Sequence, residues 1–415
     1  MMIGLRLLPP SLVLARALGW LVVSGSIVSG MSVSGESAAS QCVASVGEWR
    51  GPEVVDDDPA KEQDWPLHWN GKQTSYEKLG SDVGEWPRKA ILTWAPFAQE
   101  AGLELHLSSD LRVLLLMRKK LRAKRFLKLI DETGKRVDEW LPTPERPEPE
   151  EEPEEEPEAG GGGELTWSYT YETERPPLES ETAVLVQAPD EATYAAALDH
   201  AANENEYLGD WIATGKRLTG CILERPLFAA WQENPRGMEE WDIENELVHR
   251  LAQLLVLRRF SQVPYWLLTG IAWNVEDDVR GAIYCYPYRN GFVWATEHKG
   301  WLKRLKLEMK NVPEPFTMDA FATWKRGTFD GTKALMSFAT IQLLRKRVTP
   351  EAFASVLEEL RLLRDEKARR DNGDGTWTLI PNFEVGTDDQ RTAFQRHLPE
   401  FEADLEAVFR KGKIK

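Results

Sequence analysis

One stretch of the chain combines residue types that could do chemistry at a useful spacing. It runs from Trp241 to Trp273 and holds Asn245–Glu246–Leu247–Val248–His249, followed by Val263–Pro264–Tyr265–Trp266–Leu267–Leu268–Thr269–Gly270–Ile271–Ala272. The first segment is helical by pattern, from Asp242 to Arg259. On such a helix Asn245 and His249 are one turn apart and share a side, with Ala252 and Val256. Leu247, Leu251, Leu254 and Leu255 make the core stripe. A histidine, a glutamate and an amide so close together can hold a metal ion or move a proton. They can equally be structural. His249 then is a hydrogen-bonded, half-buried side chain, Glu246 is an ion-paired residue, and Asp242 and Glu244 favour the helix N-terminus by charge–dipole attraction.

The pair of segments resembles the thermolysin-type metallopeptidases, the gluzincins of the peptidase MA-like group. There an HExxH helix is followed by a second helix of the form Pro–x–Trp–Leu–x–Glu–Gly–x–Ala. The resemblance implies roles for particular positions. Glu246 stands where the family has its general base, and His249 where it has the second zinc-binding histidine. Asn245 stands in place of the first histidine and Thr269 in place of the third-ligand glutamate. Pro264, Trp266, Leu267, Gly270 and Ala272 keep the frame of the second helix. A neutral amide oxygen and a hydroxyl are poor zinc ligands beside an imidazole and a carboxylate. Without the metal, Glu246 has no acidified water to deprotonate. The resemblance therefore implies a degenerate, catalytically silent domain that binds a peptide, protein or glycan, or serves as a scaffold. No cofactor is expected. The alternatives are an active zinc metallopeptidase with atypical ligands, which could draw on Asp277 or Asp278 as well, and a structural component of the cell envelope.

Other chemistries lack their signatures. The chain has no GxSxG elbow, no P-loop and no GxGxxG after a strand. Asp371–Asn372–Gly373–Asp374–Gly375 has calcium-loop composition, but Asn382 stands where an EF-hand needs its bidentate Glu. It reads as a turn before a strand at Trp377–Ile380. Trp266, Trp273, Tyr284, Tyr286, Tyr288 and Trp294 could contact a peptide or glycan, or belong to the core.

The elements that must position these residues read as α+β, with a small mixed sheet on a helix-rich body. Helical spacing joins Ala90, Ile91, Trp94, Phe97 and Ala101, with Pro96 marking a break or a second start. Strands are expected at Leu103–Leu107, Arg112–Met117, Thr166–Tyr171 and Ala183–Ala188. A helix follows over Lys120–Leu141, with basic residues from Arg118 to Lys128 on its solvated face. Asp190 caps a helix to Asn203. Ile222–Trp231 reads as strand, turn and strand, Trp266–Trp273 as a short helix and Ala282–Trp294 as a hairpin. The last third is helical, including Asp330–Arg347. Thr349 with Pro350 starts one helix, and Thr387 with Gln390 makes a capping box for the last. By the resemblance, residues 86–415 form one domain.

The chain has 415 residues and a formal net charge of −16, with 42% hydrophobic residues and 17 Trp. Half of that charge sits between Glu145 and Glu158, which carry nine Glu and one Arg. Residues 142–163 therefore read as an extended acidic Pro/Glu/Gly insertion. The acidic balance argues against nucleic acid as a partner. Residues 1–39 read as an export leader, with an apolar run at Leu12–Val23 after Arg6, although Arg16 interrupts it and an uncleaved anchor fits too. The expected location is extracytoplasmic, with no later membrane span. Residues 40–85 lack periodicity and read as poorly ordered. Three cysteines (Cys42, Cys221, Cys285) fit no zinc knuckle; Cys221 and Cys285 could pair or be small buried residues.

Overall fold

A computed structural model describes residues 64–411, apart from residue 82 and residues 120–121, 145–177, 204–207, 237–241, 284–300, 311–317, 325–330, 372–376 and 381–382. These residues belong to one unit, Asp57–Lys415. Its spine is a seven-stranded mixed sheet made of β1 (Pro66–Trp69), β2 (Lys72–Ser75), β3 (Leu103–Leu107), β4 (Val113–Arg118), β5 (Ala183–Ala188), β6 (Gly220–Leu223) and β7 (Phe228–Gln232). The strand order is β2-β1-β3-β4-β5-β7-β6. The β1/β3, β4/β5 and β5/β7 pairs are parallel, and the β1/β2, β3/β4 and β6/β7 pairs are antiparallel.

The helices among the described residues are α1 (Glu85–Glu100), α2 (Ala123–Trp140), α3 (Glu191–Asn203), α4 (Gly209–Gly215), α5 (Ile243–Phe260), α6 (Tyr265–Arg280), α7 (Trp301–Met309), α8 (Met318–Ala322), α9 (Gly331–Arg347), α10 (Pro350–Lys367), α11 (Thr387–His397) and α12 (Phe401–Lys411). A short pair, β8 (Arg369–Asp371) with β9 (Trp377–Leu379), stands apart from the main sheet. No described helix is long and apolar enough to cross a membrane.

Strand alternation divides the core in two. Leu105, Leu107, Leu114, Leu116, Val184 and Val186 point to one face, where they meet Ile91 and Trp94 of α1 and Tyr194 of α3. Val113, Leu115, Met117, Ala183 and Leu185 point to the other, against α2 and α5. The central strands are covered on both faces, which is why β4 and β5 read as unbroken apolar runs.

Most expected elements are present, and the α+β class holds. Among the described residues the sheet has seven strands, larger than expected, because residues 66–75 form the hairpin β1–β2 inside the segment read as poorly ordered. Trp65 and Leu67 anchor this hairpin in the core, and Asn70–Gly71 turn it at positive φ (51° and 71°). Helix α1 runs through Pro96 without a break. Proline there forgoes one backbone hydrogen bond, while Trp94, Ala95, Phe97 and Ala98 bury the flanking turns. The capping box at Thr387–Gln390 does not form. Gly386 is the N-cap of α11, and Gln390 turns inward, donating to the Val385 carbonyl and accepting from Trp266 Nε1. Asp190, Asp242 and Thr349 do cap their helices by side-chain acceptance. The expected strand at Thr166–Tyr171, the leader, the acidic insertion from residue 145 on and the hairpin from residue 284 on lie outside the described residues, as do Cys42 and Cys285. Cys221 is buried on β6.

Helix α5 is the central helix. It packs on α2, α6, α10 and strands β5, β6 and β7, and is buried almost all round. Helix α6 lies between α5 and α9. Its Gly270 makes the second contact very close: a Cβ there would meet the Ser337 carbonyl oxygen at 2.8 Å and Ile341 Cγ1 at 2.9 Å. Gly270→Ala should therefore push α6 from α9 and cost about 1–3 kcal/mol, the usual range for overpacking. Urea unfolding of the two proteins checks this, and equal midpoints would contradict the close approach.

Candidate functional site

Two local signals fix the ends of the helices that frame the site. Asp242 Oδ1 accepts from the backbone N–H groups of Glu244 (2.9 Å) and Asn245 (3.0 Å), which starts α5 in register. Gly281, at φ +69°, ends α6 in the left-handed conformation that glycine tolerates. The chain turns there so that the Ala282 carbonyl reaches back to Asn245 Nδ2 at 2.6 Å.

Helix α6 is twice as long as expected, since no breaker comes before Gly281. The extra turns bring in Glu276, which lies on the same stripe as Thr269 and Trp273. Glu276 bridges the α5 residues: Asn245 Nδ2 donates to its Oε1 at 2.6 Å, and His249 Nδ1 lies 3.2 Å from its Oε2. The His249 and Trp273 rings are 6.0 Å apart between centroids. Arg280 donates to Asn245 Oδ1 at 3.0 Å and pairs with Glu244 at 2.7 Å; Arg125 of α2 pairs with the same Glu244. Glu246 is held by Arg250 at 3.1 Å, one turn along α5.

The site residues expected from sequence thus divide. Asn245 and His249 are brought together, as their spacing requires, but onto Glu276. Thr269 is on the same face of α6, two turns before Glu276, and its Oγ1 has no hydrogen-bond partner among the described residues. Asp278 belongs to an outer ion cluster with Arg345 (2.7 Å) and Arg136 (3.3 Å). Trp266 is a core residue, packed on Phe321 and Phe394. Tyr284, Tyr286, Tyr288 and Trp294 lie outside the described residues. Glu276 was legible in principle: it continues the helical period of Thr269 and Trp273.

Asn245 is 1% exposed, and Glu246, His249, Thr269 and Glu276 are 0%. Burial pushes the His249 pKa well below its usual 6.5, and the Arg250 cation adds to this. The imidazole is therefore neutral, and its contact with Glu276 is a hydrogen bond. With Glu276 ionised its carboxylate accepts, which puts the proton on Nδ1 and leaves a lone pair on Nε2. That Nε2 is buried with no hydrogen-bond partner among the described residues.

The donor set does not fit a zinc ion. Both oxygens of Glu276 are engaged, by Asn245 and His249. The Asn245 oxygen faces the Arg280 guanidinium, which would repel a metal cation. The Glu246 carboxylate is ion-paired. One imidazole nitrogen and a neutral hydroxyl remain, and these are too few. Comparison with protein families finds no matching family, and comparison with curated proteins finds no match.

Two outcomes follow from this geometry. The unfolded chain takes up a proton on His249 below about pH 6.5 that the folded chain refuses, so stability is complete above that pH and falls below it, by at most about 1.4 kcal/mol per pH unit for this group. In His249→Gln the acid-side slope of unfolding free energy against pH should be shallower by up to one proton; an identical slope would mean His249 protonates in place. Glu276→Gln replaces one acceptor oxygen with a donor facing Asn245 or His249. It should cost about 1–3 kcal/mol in denaturant unfolding, as expected for an unsatisfied buried group.

Proposed function

We propose that this is an extracytoplasmic protein whose metallopeptidase-like helix pair is catalytically silent and forms the rigid centre of a binding or scaffold module. The observation that carries the reading is the Asn245–Glu276–His249 bridge, which ties together the two α5 positions that the resemblance assigns to zinc. A hydrolytic centre needs an ion with an open coordination position and a water that a base can reach. In this chain the carboxylate is spent on holding two helices together, and the residue in the general-base position is neutralised by Arg250. Substrate would also have to reach side chains that are fully buried.

The leftover polar groups support descent from a working site. Among the described residues, His249 Nε2, Thr269 Oγ1 and Gln253 Oε1 are buried without hydrogen-bond partners. Each costs stability that an apolar residue of similar shape would not. A helix seam selected only for packing has no use for them. The ligand class that fits the resemblance is a peptide, protein or glycan. One observation favours the alternative of an atypical zinc metallopeptidase: a histidine whose Nδ1 is oriented by a carboxylate, with Nε2 bare, has the posture of a metal-bound histidine.

Cleavage of a broad peptide library by the purified full chain, with and without added zinc, separates the two. The silent module should show no turnover, and Glu246→Gln should change nothing. Turnover that vanishes in Glu246→Gln, together with zinc that is lost in His249→Gln, would establish the metallopeptidase instead.

A further inference from the structure

The hairpin that the sequence reading missed brings a second set of chemically competent side chains together, far along the chain from the α5–α6 seam. Strands β1 and β3 are parallel neighbours, and their register pairs His68 with His106. Glu104 precedes His106 by two residues and so projects from the same face of β3. On the β4 side the register neighbours of Glu104 and His106 are Met117 and Leu115, both apolar. On the β2 side His68 is paired with Gln73, which is uncharged.

Three donors converge there. His68 Nε2 is 3.8 Å and His106 Nε2 is 3.7 Å from one oxygen, Glu104 Oε2. All three donor atoms lie within 4.8 Å of one another. The imidazole rings are stacked with centroids 4.6 Å apart. At 3.7–3.8 Å neither contact is a hydrogen bond. Ligands of one tetrahedral zinc ion, with bonds of about 2.0–2.2 Å, sit about 3.4 Å from each other. For the two contacts with Glu104 the gap between the observed and required separations is a few tenths of an ångström, the two imidazole nitrogens lie within 4.8 Å of each other, and His68 and Glu104 have side chains about 30% exposed that can turn to bring the donors together.

His106 supplies the independent observation. It is 3% exposed, and its Nε2 has no hydrogen-bond partner among the described residues. Leaving such an atom bare inside the fold costs free energy unless something binds it.

From these positions we infer that His68, Glu104 and His106 form a binding site for a divalent transition-metal ion of the zinc type. Two imidazoles and a carboxylate are donors that suit Zn²⁺ and its neighbours Co²⁺ and Ni²⁺, and not Ca²⁺ or Mg²⁺. The exposed side of His68 and Glu104 leaves the remaining position to water. The site is independent of the helix pair, and it stands or falls apart from the proposed loss of catalysis there.

The test is zinc binding by the full chain after chelator treatment and dialysis, followed by titration with Zn²⁺ and with Co²⁺. The wild type should bind one ion saturably with these ligands, and Co²⁺ should give the visible absorption of a four-coordinate site. His68→Ala and Glu104→Gln, both at partly exposed positions, should keep the circular dichroism of the wild type while weakening binding at least about tenfold. His249→Gln should leave binding unchanged. The inference is overturned if the wild type binds neither ion, or if His68→Ala and Glu104→Gln bind as tightly as the wild type. Loss of the ion in His249→Gln alone would place the metal in the helix pair, overturning both this site and the silent-module reading.

Discussion

Everything polar in the centre of this protein answers to one constraint: helix α5 has almost no solvent-facing side. A helix surrounded by a sheet and three other helices must satisfy its polar side chains from within the protein, because water cannot do it. The chain meets most of that demand with pairings, across elements for Glu244 and Arg259 and within α5 for Glu246. Glu244 takes Arg125 and Arg280, Glu246 takes Arg250, and Arg259 takes Asp138 and the Leu141 carbonyl. Asn245 and His249 share Glu276. Breaking any one of these by removing a single partner leaves a buried group stranded, which is costlier than never having had the pair.

The second helix of the pair inherits its placement from this arrangement. Its Thr269–Trp273–Glu276 stripe faces α5, while Gly270 and Asn274 face α9. Asn274 donates to its own Gly270 carbonyl and to the Phe338 carbonyl at 3.0 Å. One helix therefore reconciles two interfaces of opposite character, a polar bridge on one side and a backbone-close contact on the other. Trp266 and Gly270 accordingly serve packing, Trp266 against Phe321 and Phe394 and Gly270 against α9.

Much of the architecture was legible because the periodicities were strong. The unbroken run at Ala183–Ala188 and the amphipathic stripe of α2 declare themselves, and Asp190, Asp242 and Thr349 mark helix starts by their own chemistry. The hairpin at Pro66–Ser75 was not legible. Its strands are four residues long, and polar Lys72, Gln73 and Thr74 conceal the anchoring Trp65 and Leu67. At the site, Asn245 and His249 could be paired from spacing alone. Their partner was missed although Glu276 continues the period of Thr269 and Trp273, because the helix expected to end at Trp273 stops short of it. The metal-competent trio was invisible for a different reason: His68 and His106 are joined by strand register across α1, and no local pattern encodes register between distant strands.

The edges of the sheet carry a consequence for assembly. A seven-stranded sheet with a long open flank would be a template on which another chain could add. Here both flanks end in strands of four residues, β2 and β6, each turned back antiparallel on its neighbour. An incoming strand at β2 would find only about 13 Å of ladder, with Lys72 at its start. Among the described residues, growth by strand addition at these two short edges is thereby discouraged.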